Sequence, residues 1–191
     1  MARGALSGLY RGVKAVAGIV AVVGLGTILF VHPSAITAAP ANDPSARTTG
    51  SGLPVPRFVS LKSSKVNVRV GPGEDYGVSW VFVKPGLPIE VIQEFDNWRR
   101  IRDSDGQVGW VFQSLLSGKR TAVVAPWQGG EPRPIRASDI ADARITAYLE
   151  PGVVGDIERC RGGWCEISGK GYSGWIARDQ LWGVYPDEDI N

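Results

Sequence analysis

The sequence predicts an all-β chain: two small β-barrels in tandem, after an N-terminal export segment and a flexible linker. Three observations carry this. DGQVGWVFQSLLSG (105–118) and KGYSGWIARDQLWG (170–183) share Gly, Gly-Trp, Leu and Gly at matching places. Turn signals recur about every ten residues, with β-branched and aromatic residues between them. No stretch after Pro33 sustains a helical period, apart from short turns expected at Gln113–Leu116 and Arg178–Leu181.

Residues 1–41 read as targeting rather than fold. Arg3, Arg11 and Lys14 precede an apolar passage, VAGIVAVVGLGTILFV (16–31), and then small residues. A basic start, an apolar middle and a small-residue exit describe a secretory signal. Cleavage after Ala38 or Ala41 and retention as an inner-membrane anchor by residues 16–31 both remain open, because a bilayer core needs roughly 20 apolar residues. Either outcome places the rest in the periplasm or outside the cell. No cysteine lies near the end of the segment, which argues against a lipid-modified N-terminus.

The whole chain holds 21 Lys+Arg and 19 Asp+Glu; setting aside Arg3, Arg11 and Lys14 leaves 18 against 19. So neutral a remainder lacks the field that nucleic-acid binders use, and nucleic acid is not an expected partner.

Residues 42–57 are a Pro-, Ser-, Thr- and Gly-rich linker. The first unit is assigned to 58–125. Its strands are read at VNVRV (66–70), IEVIQEF (89–95), WRRIR (98–102) and QVGWVF (107–112), separated by Gly71-Pro72-Gly73, Asp96-Asn97 and Asp103 to Gly106. Residues 126–133, within APWQGGEPRP, read as a connector. The second unit is 134–186, with GDIERC (155–160), WCEIS (164–168) and YSGWIA (172–177), and residues 187–191 form a tail. The repeat extends backwards: Lys84-Pro85-Gly86 matches Glu150-Pro151-Gly152, each followed 12 residues later by Trp98 or Trp164, and Val68-Arg69 faintly matches Ile135-Arg136.

A unit this small has little interior. The expectation is that Trp110 and Trp175 fill it, each preceded by a glycine that lets a neighbouring strand pass close, with Leu116 and Leu181 closing the end. Cys160 and Cys165 flank a tight turn in an expected hairpin, where opposed residues are near enough for a disulfide. Two reduced thiols are the alternative; two sulfurs without a nearby histidine do not make a structural zinc site. Glu94 and Arg99 stand at the matching places of the first copy.

Asn67-Val68-Arg69-Val70-Gly71-Pro72-Gly73 resembles the N-V-R-x-G-P-G signature of bacterial SH3-like (SH3b) domains. The turn before Trp98, and Gly109-Trp110-Val111 followed by Leu116, fit the rest of that pattern. The second unit keeps the later Gly-Trp block but has Ile135-Arg136-Ala137-Ser138 in place of the signature. The combination looks like the tandem SH3-like proteins exported by Gram-negative, often alphaproteobacterial, cells. The resemblance implies binding of peptide or cell-wall peptidoglycan. It also implies a groove flanked by the loops that hold Tyr76, Trp80 and Trp98, with Glu74 and Asp75 as polar partners; packing of Trp80 and Trp98 inside the barrel or against the second unit is the alternative. In the second copy Trp164, Tyr172, Trp182 and Tyr185 are candidates, the last two for a seal between units. Arg99, Arg100 and Arg102 read as a basic surface strip near Asp103 and Asp105.

Catalytic chemistry is thin. The single histidine, His32, lies in the export segment, so Cys-His and Ser-His-Asp systems are not expected. Lys62-Ser63-Ser64 and the turn acids Asp96, Asp103 and Asp105 are formal candidates for Ser-Lys or two-acid hydrolysis, yet each suits an exposed loop. The expectation is a non-enzymatic envelope binding protein without a metal or other cofactor. A structural or regulatory protein docked on an envelope enzyme, and a small acid-based glycan hydrolase, are the alternatives.

Overall fold

Short strands joined by tight turns build the molecule. The computed structural model describes residues 47–48, 50–127 and 129–191. The strands are β1 (Arg47–Thr48), β2 (Pro54–Val55), β3 (Arg57–Leu61), β4 (Val66–Arg69), β5 (Val78–Phe82), β6 (Pro88–Phe95), β7 (Trp98–Arg102), β8 (Val108–Phe112), β9 (Leu116–Ser117), β10 (Thr121–Val124), β11 (Arg133–Arg136), β12 (Ile145–Leu149), β13 (Val154–Arg161), β14 (Trp164–Gly169), β15 (Tyr172–Ala177) and β16 (Leu181–Trp182). One-turn 3-10 helices occupy Gln113–Leu115 and Arg178–Gln180, where short turns were expected. The export segment (1–41) lies outside the described residues, among which no helix is long and apolar enough to cross a membrane.

Two seven-stranded antiparallel sheets follow the same plan, β5-β4-β8-β7-β6-β3-β9 and β12-β11-β15-β14-β13-β10-β16. The faint sequence match is a register match: Arg69 lies opposite Trp110 and Arg136 opposite Trp175. The bulges repeat as well, between Val91 and Gln93 in β6 and between Ile157 and Arg159 in β13.

Two assignments change. The end of the expected linker is part of the first barrel: Pro54–Val55 and Arg57 are in strands, and Val55 packs into its core, because Val55 offers an apolar side chain in a mostly polar stretch. Thr121–Val124, read as the end of the first unit, pairs with β13 and β16 and so opens the second sheet. The Pro- and Gly-rich passage after it therefore links two strands of one barrel, β10 and β11, and is not a connector between barrels. Turn chemistry marks a loop without saying which side of a domain boundary it is on. The residues between the barrels are Gly118, Lys119 and Arg120, from the end of β9 to the start of β10.

The interiors are aliphatic. Val66, Val68, Ile89, Val91, Ile101 and Val111 are fully buried in the first barrel, and Val124, Ile135 and Ile167 in the second, with Ile176 nearly so. The expectation that Trp110 and Trp175 fill these interiors is overturned. Successive strand residues face opposite sides, and Gly109 with Val111, and Gly174 with Ile176, take the inner side. Trp110 is half-buried on the outer face. Trp175 is buried on the equivalent face under the guanidinium groups of Arg159 and Arg161, which lie 5.4 and 5.1 Å from its ring.

The repeated glycine does serve close approach, but toward another ring. A Cβ on Gly109 would lie 2.4 Å from Val68 Cγ1 and 3.0 Å from the Trp80 indole. Trp80, on β5, packs against the buried cluster and meets Phe82 edge-to-face at 6.0 Å. In the second barrel a Cβ on Gly174 would meet the Arg136 carbonyl at 2.8 Å.

The two barrels belong to one compact unit, Asn42–Asn191. Phe58 of β3 meets Trp182 edge-to-face at 5.2 Å and Tyr185 at 4.7 Å, so Trp182 and Tyr185 do seal the junction. Tyr185 Oη donates to Glu90 Oε1 at 3.0 Å, and Glu90 is also paired with Arg102 at 2.6 Å. Burial, then the Glu90 carboxylate, pushes the Tyr185 phenol well above its ordinary 10.0, so it stays a donor. The tail is tied back. Ile190 exchanges both main-chain hydrogen bonds with Cys160 (2.9 and 3.1 Å), and Glu188 pairs with Arg120. Burial alone would raise the Glu188 carboxyl, but hydrogen bonds from Arg120 and from the Tyr185 amide hold it below 4.5.

Cys160 and Cys165 are directly opposed in the β13–β14 hairpin and form a disulfide, with Cα atoms 4.0 Å apart. Glu94 and Arg99 hold the same register in the β6–β7 hairpin and form an ion pair at 3.1 Å, with side chains 3% and 7% exposed. Arg99 thus leaves the expected surface strip, because alternation turns it inward between outward-facing Trp98 and Arg100. The first copy closes its hairpin with charge where the second uses sulfur. Replacing both cysteines by alanine is expected to destabilise the second barrel by about 2 kcal/mol, the loop-closure contribution of so short a link. Denaturant midpoints with and without reductant measure it, and reductant should have no effect on the double variant.

Candidate ligand cleft

The outer face of β4, β8 and β7 carries the candidate site. Alternation that sends Val66, Val68, Ile101 and Val111 inward sends Asn67, Arg69, Trp98, Arg100, Val108, Trp110 and Phe112 outward. At one end of this face lies a cleft of about 490 Å³ lined by Lys65, Asn67, Arg69, Glu74, Trp98, Phe112, Ser114 and Leu115. Trp98 and Phe112 are directly opposed across the β7–β8 pair, and their rings meet edge-to-face at 5.4 Å. They give the cleft an apolar wall. Lys65 and Arg69 supply positive charge and Glu74 negative charge, so a ligand meets both signs beside an aromatic surface.

Of the five site residues expected from sequence, Trp98 and Glu74 meet in this cleft. Tyr76 is nearby but engaged. Its ring lies over Gly71, where a Cβ would come within 2.4 Å of it, and its carbonyl accepts from Arg69 Nη1 at 2.6 Å. Half of its surface remains exposed, at 49%. The Gly-Pro-Gly turn and Tyr76 together hold the Arg69 guanidinium beside the cleft. Asp75 is exposed on the same loop and outside the lining. Trp80 belongs to the barrel packing described above, because its segment is a strand and not the loop the sequence suggested. Lys65, Asn67, Arg69, Phe112, Ser114 and Leu115 were missed as lining. Asn67 and Arg69 could have been found as the outward members of the alternating VNVR strand.

One of the turn acids has a structural duty. Asp103 is buried, and its Oδ1 accepts from the amides of Asp105 (3.0 Å) and Gln107 (2.8 Å), which holds the β7–β8 turn. Among the described residues no three acids, cysteines or histidines gather into a metal-binding group.

The second barrel has a counterpart at the same register. Trp164 is opposed to Ala177 where Trp98 is opposed to Phe112. The missing ring leaves a cleft of about 440 Å³ lined by Trp164, Ala177, Arg178, Asp179, Val184 and Pro186, among others. Arg178 is buried there and donates to the Pro186 carbonyl. Tyr172 is not part of this cleft; its hydroxyl donates to the Val154 carbonyl at 3.2 Å.

Comparison with known proteins bears on what such a chain is. It is 26% identical over 131 residues to a Bacillus subtilis (strain 168) protein named as a candidate N-acetylmuramoyl-L-alanine amidase, YrvJ; the match covers 63% of this chain and 24% of that protein. Among solved structures it is similar to NlpC2 and NlpC1 of Trichomonas vaginalis, each at 13% identity and TM-score 0.31, covering 71% of this chain and 51% and 48% of theirs. The chain therefore spans about a quarter of the Bacillus protein and about half of each Trichomonas chain. Residues 62–118 and 130–183, more than half of the sequence, each match the bacterial SH3 domain model, and the chain belongs to that family as a tandem pair.

Proposed function

We propose that this chain is an exported, non-catalytic binding protein of the bacterial envelope that holds a peptide or peptidoglycan-derived segment in the cleft of its first barrel. The observation that carries this is the cleft itself: a paired Trp98–Phe112 wall beside cations at Lys65 and Arg69 and an acid at Glu74. An aromatic wall offers contact area at little entropic cost, and flanking charges of both signs fit a ligand with amino and carboxylate groups, as peptides and peptidoglycan stems have. Family membership and the Bacillus relative's name support a cell-wall ligand. The disulfide supports an oxidising compartment, in line with the export reading of residues 1–41.

Pull-down of the full chain on purified sacculi tests this. Retention above a control protein is expected, and Trp98→Ala should weaken it about tenfold, the scale of one lost aromatic anchor. No retention removes the cell-wall reading, and retention indifferent to Trp98 removes the cleft as its site. The edge strand β5 supports a second reading, docking on an envelope enzyme: Val78 is 45% exposed, Val81 37%, and Val83 just beyond it 78%. Copurification of an envelope protein without affinity for sacculi would favour it.

A further inference from the structure

The two copies treat the same tryptophan differently. Trp110 stands between Arg69 and Arg100 across the sheet, and Trp175 stands between Arg136 and Glu166 in the equivalent register. In the second barrel the chain closes over its indole. Arg159 and Arg161 lie on the ring, Glu166 holds Arg159 at 2.6 Å and Asp139 holds Arg161 at 2.7 Å, and Trp175 is 5% exposed. On that face Arg159 and Arg161 are held by acids over the ring, while Arg136 donates to the Ala143 carbonyl.

In the first barrel each of these parts is exchanged. Gln93 takes the place of Arg159 and Phe95 that of Arg161, while Arg100 takes the place of Glu166. Among the described residues no guanidinium lies over Trp110 as two lie over Trp175, and it is only part-buried. Arg100 is exposed, and its neighbour across the sheet is the neutral Gln93, at 3.4 Å. Arg69 is oriented by the Tyr76 carbonyl and not by an acid. Among the acids on this side of the barrel, Glu90 is buried and already committed to Arg102 and Tyr185, and Glu74 lies at the cleft end. Val108, 40% exposed and two residues along β8 from Trp110, extends the apolar surface.

An indole face flanked by two cations without carboxylate partners fits a ligand with a flat apolar side and anionic groups at its rim. Sugar rings present a C–H face to an indole, and carboxylates take charge-assisted, bidentate hydrogen bonds from guanidinium groups. Single-stranded nucleic acid also combines stacking with anions, but it calls for a strongly basic groove, and the chain beyond its first 41 residues has 18 basic and 19 acidic residues. We propose that the outer face of the first barrel around Trp110 is a further binding surface, for an acidic oligosaccharide whose ring lies on the indole while its carboxylates pair with Arg69 and Arg100. This surface adjoins the Trp98 cleft, and the proposal stands whether or not that cleft takes a peptide.

Titration of the full chain with hexagalacturonate, followed by calorimetry and tryptophan fluorescence, tests it. Neutral cellohexaose, polyglutamate and oligothymidylate are the comparison probes. Hexagalacturonate is expected to bind in a salt-sensitive manner and more tightly than the other three. Arg100→Gln, at an exposed position, and Trp110→Leu, which keeps apolar bulk without a ring, should each weaken binding about tenfold. Circular dichroism melts confirm that both variants are folded; should Trp110→Leu fail to fold, Arg100→Gln and Arg69→Gln decide the matter. No binding of hexagalacturonate overturns the proposal. So does equal binding of polyglutamate with no dependence on Trp110, which would mean a charge patch alone. Tighter binding of oligothymidylate overturns the ligand class.

Discussion

Glu94→Ala is expected to lower the stability of the first barrel by about 3–5 kcal/mol, the cost of leaving a buried charge without its partner. Glu94 accepts from Arg99 Nε at 3.1 Å, from Arg57 Nη2 at 2.6 Å and from the amide and hydroxyl of Ser51 at 3.0 and 2.8 Å. Removing the carboxylate strands Arg99, whose side chain is 7% exposed, and releases the segment around Ser51. Urea unfolding at constant slope reads the change directly. The second copy supplies the control. Glu94→Cys with Arg99→Cys transplants the β13–β14 disulfide onto the same register, and the oxidised double variant should be more stable than Glu94→Ala. A loss below about 1 kcal/mol, the value of an exposed pair, would mean that the ion pair does not close this hairpin.

Phe58→Ala is expected to cost about 3–5 kcal/mol, the range for deleting a buried phenyl ring, and to change how the chain unfolds. Phe58 is 7% exposed, and its ring is the contact that Trp182 and Tyr185 share. Without it, the hydrogen bond from Tyr185 to Glu90 and the close approach of Gly183 to Pro88 remain across the seal. Calorimetry of the wild-type chain should show one transition, since both barrels melt with their junction, and the variant should show two. A single transition with an unmoved midpoint in the variant would mean that the barrels are coupled elsewhere.

The hairpins were legible because their turns carry strong chemistry. Asp96-Asn97, Gly162-Gly163 and the Asp103 turn fixed β6 to β8 and β13 to β15 nearly to the residue, and the register that opposes Cys160 to Cys165 followed from them. Edge strands were harder to see. Val78–Phe82 and Ile145–Leu149 expose residues on both sides, so no clean alternation distinguishes them from loop. That is why the sequence left Trp80 between a groove and the interior, against which it packs. The Gly-Trp pair was legible as a constraint but ambiguous in direction. One of its two residues must face inward, and ring size argued for tryptophan, whereas the tight approach of Val68 and Trp80 at Gly109 decides for glycine. Arg99 was invisible as a buried charge because its partner depends on the bulge at Ile92, which turns Glu94 inward. The cleft was half legible: Trp98 and Glu74 were in view, and Phe112 emerged only once the strands were paired.

A passage of three residues, Gly118 to Arg120, and an aromatic seal leave the barrels little freedom to swing. Trp98 and Trp164 are then fixed marks on one rule. Were both clefts to take ligand as the first is proposed to, a polymer whose repeat matches the interval between them would be held at two points without surrendering hinge entropy, and one with a different period at one. Selection by ligand periodicity would then follow from the rigid junction, and a flexible tether in place of Gly118–Arg120 would erase it.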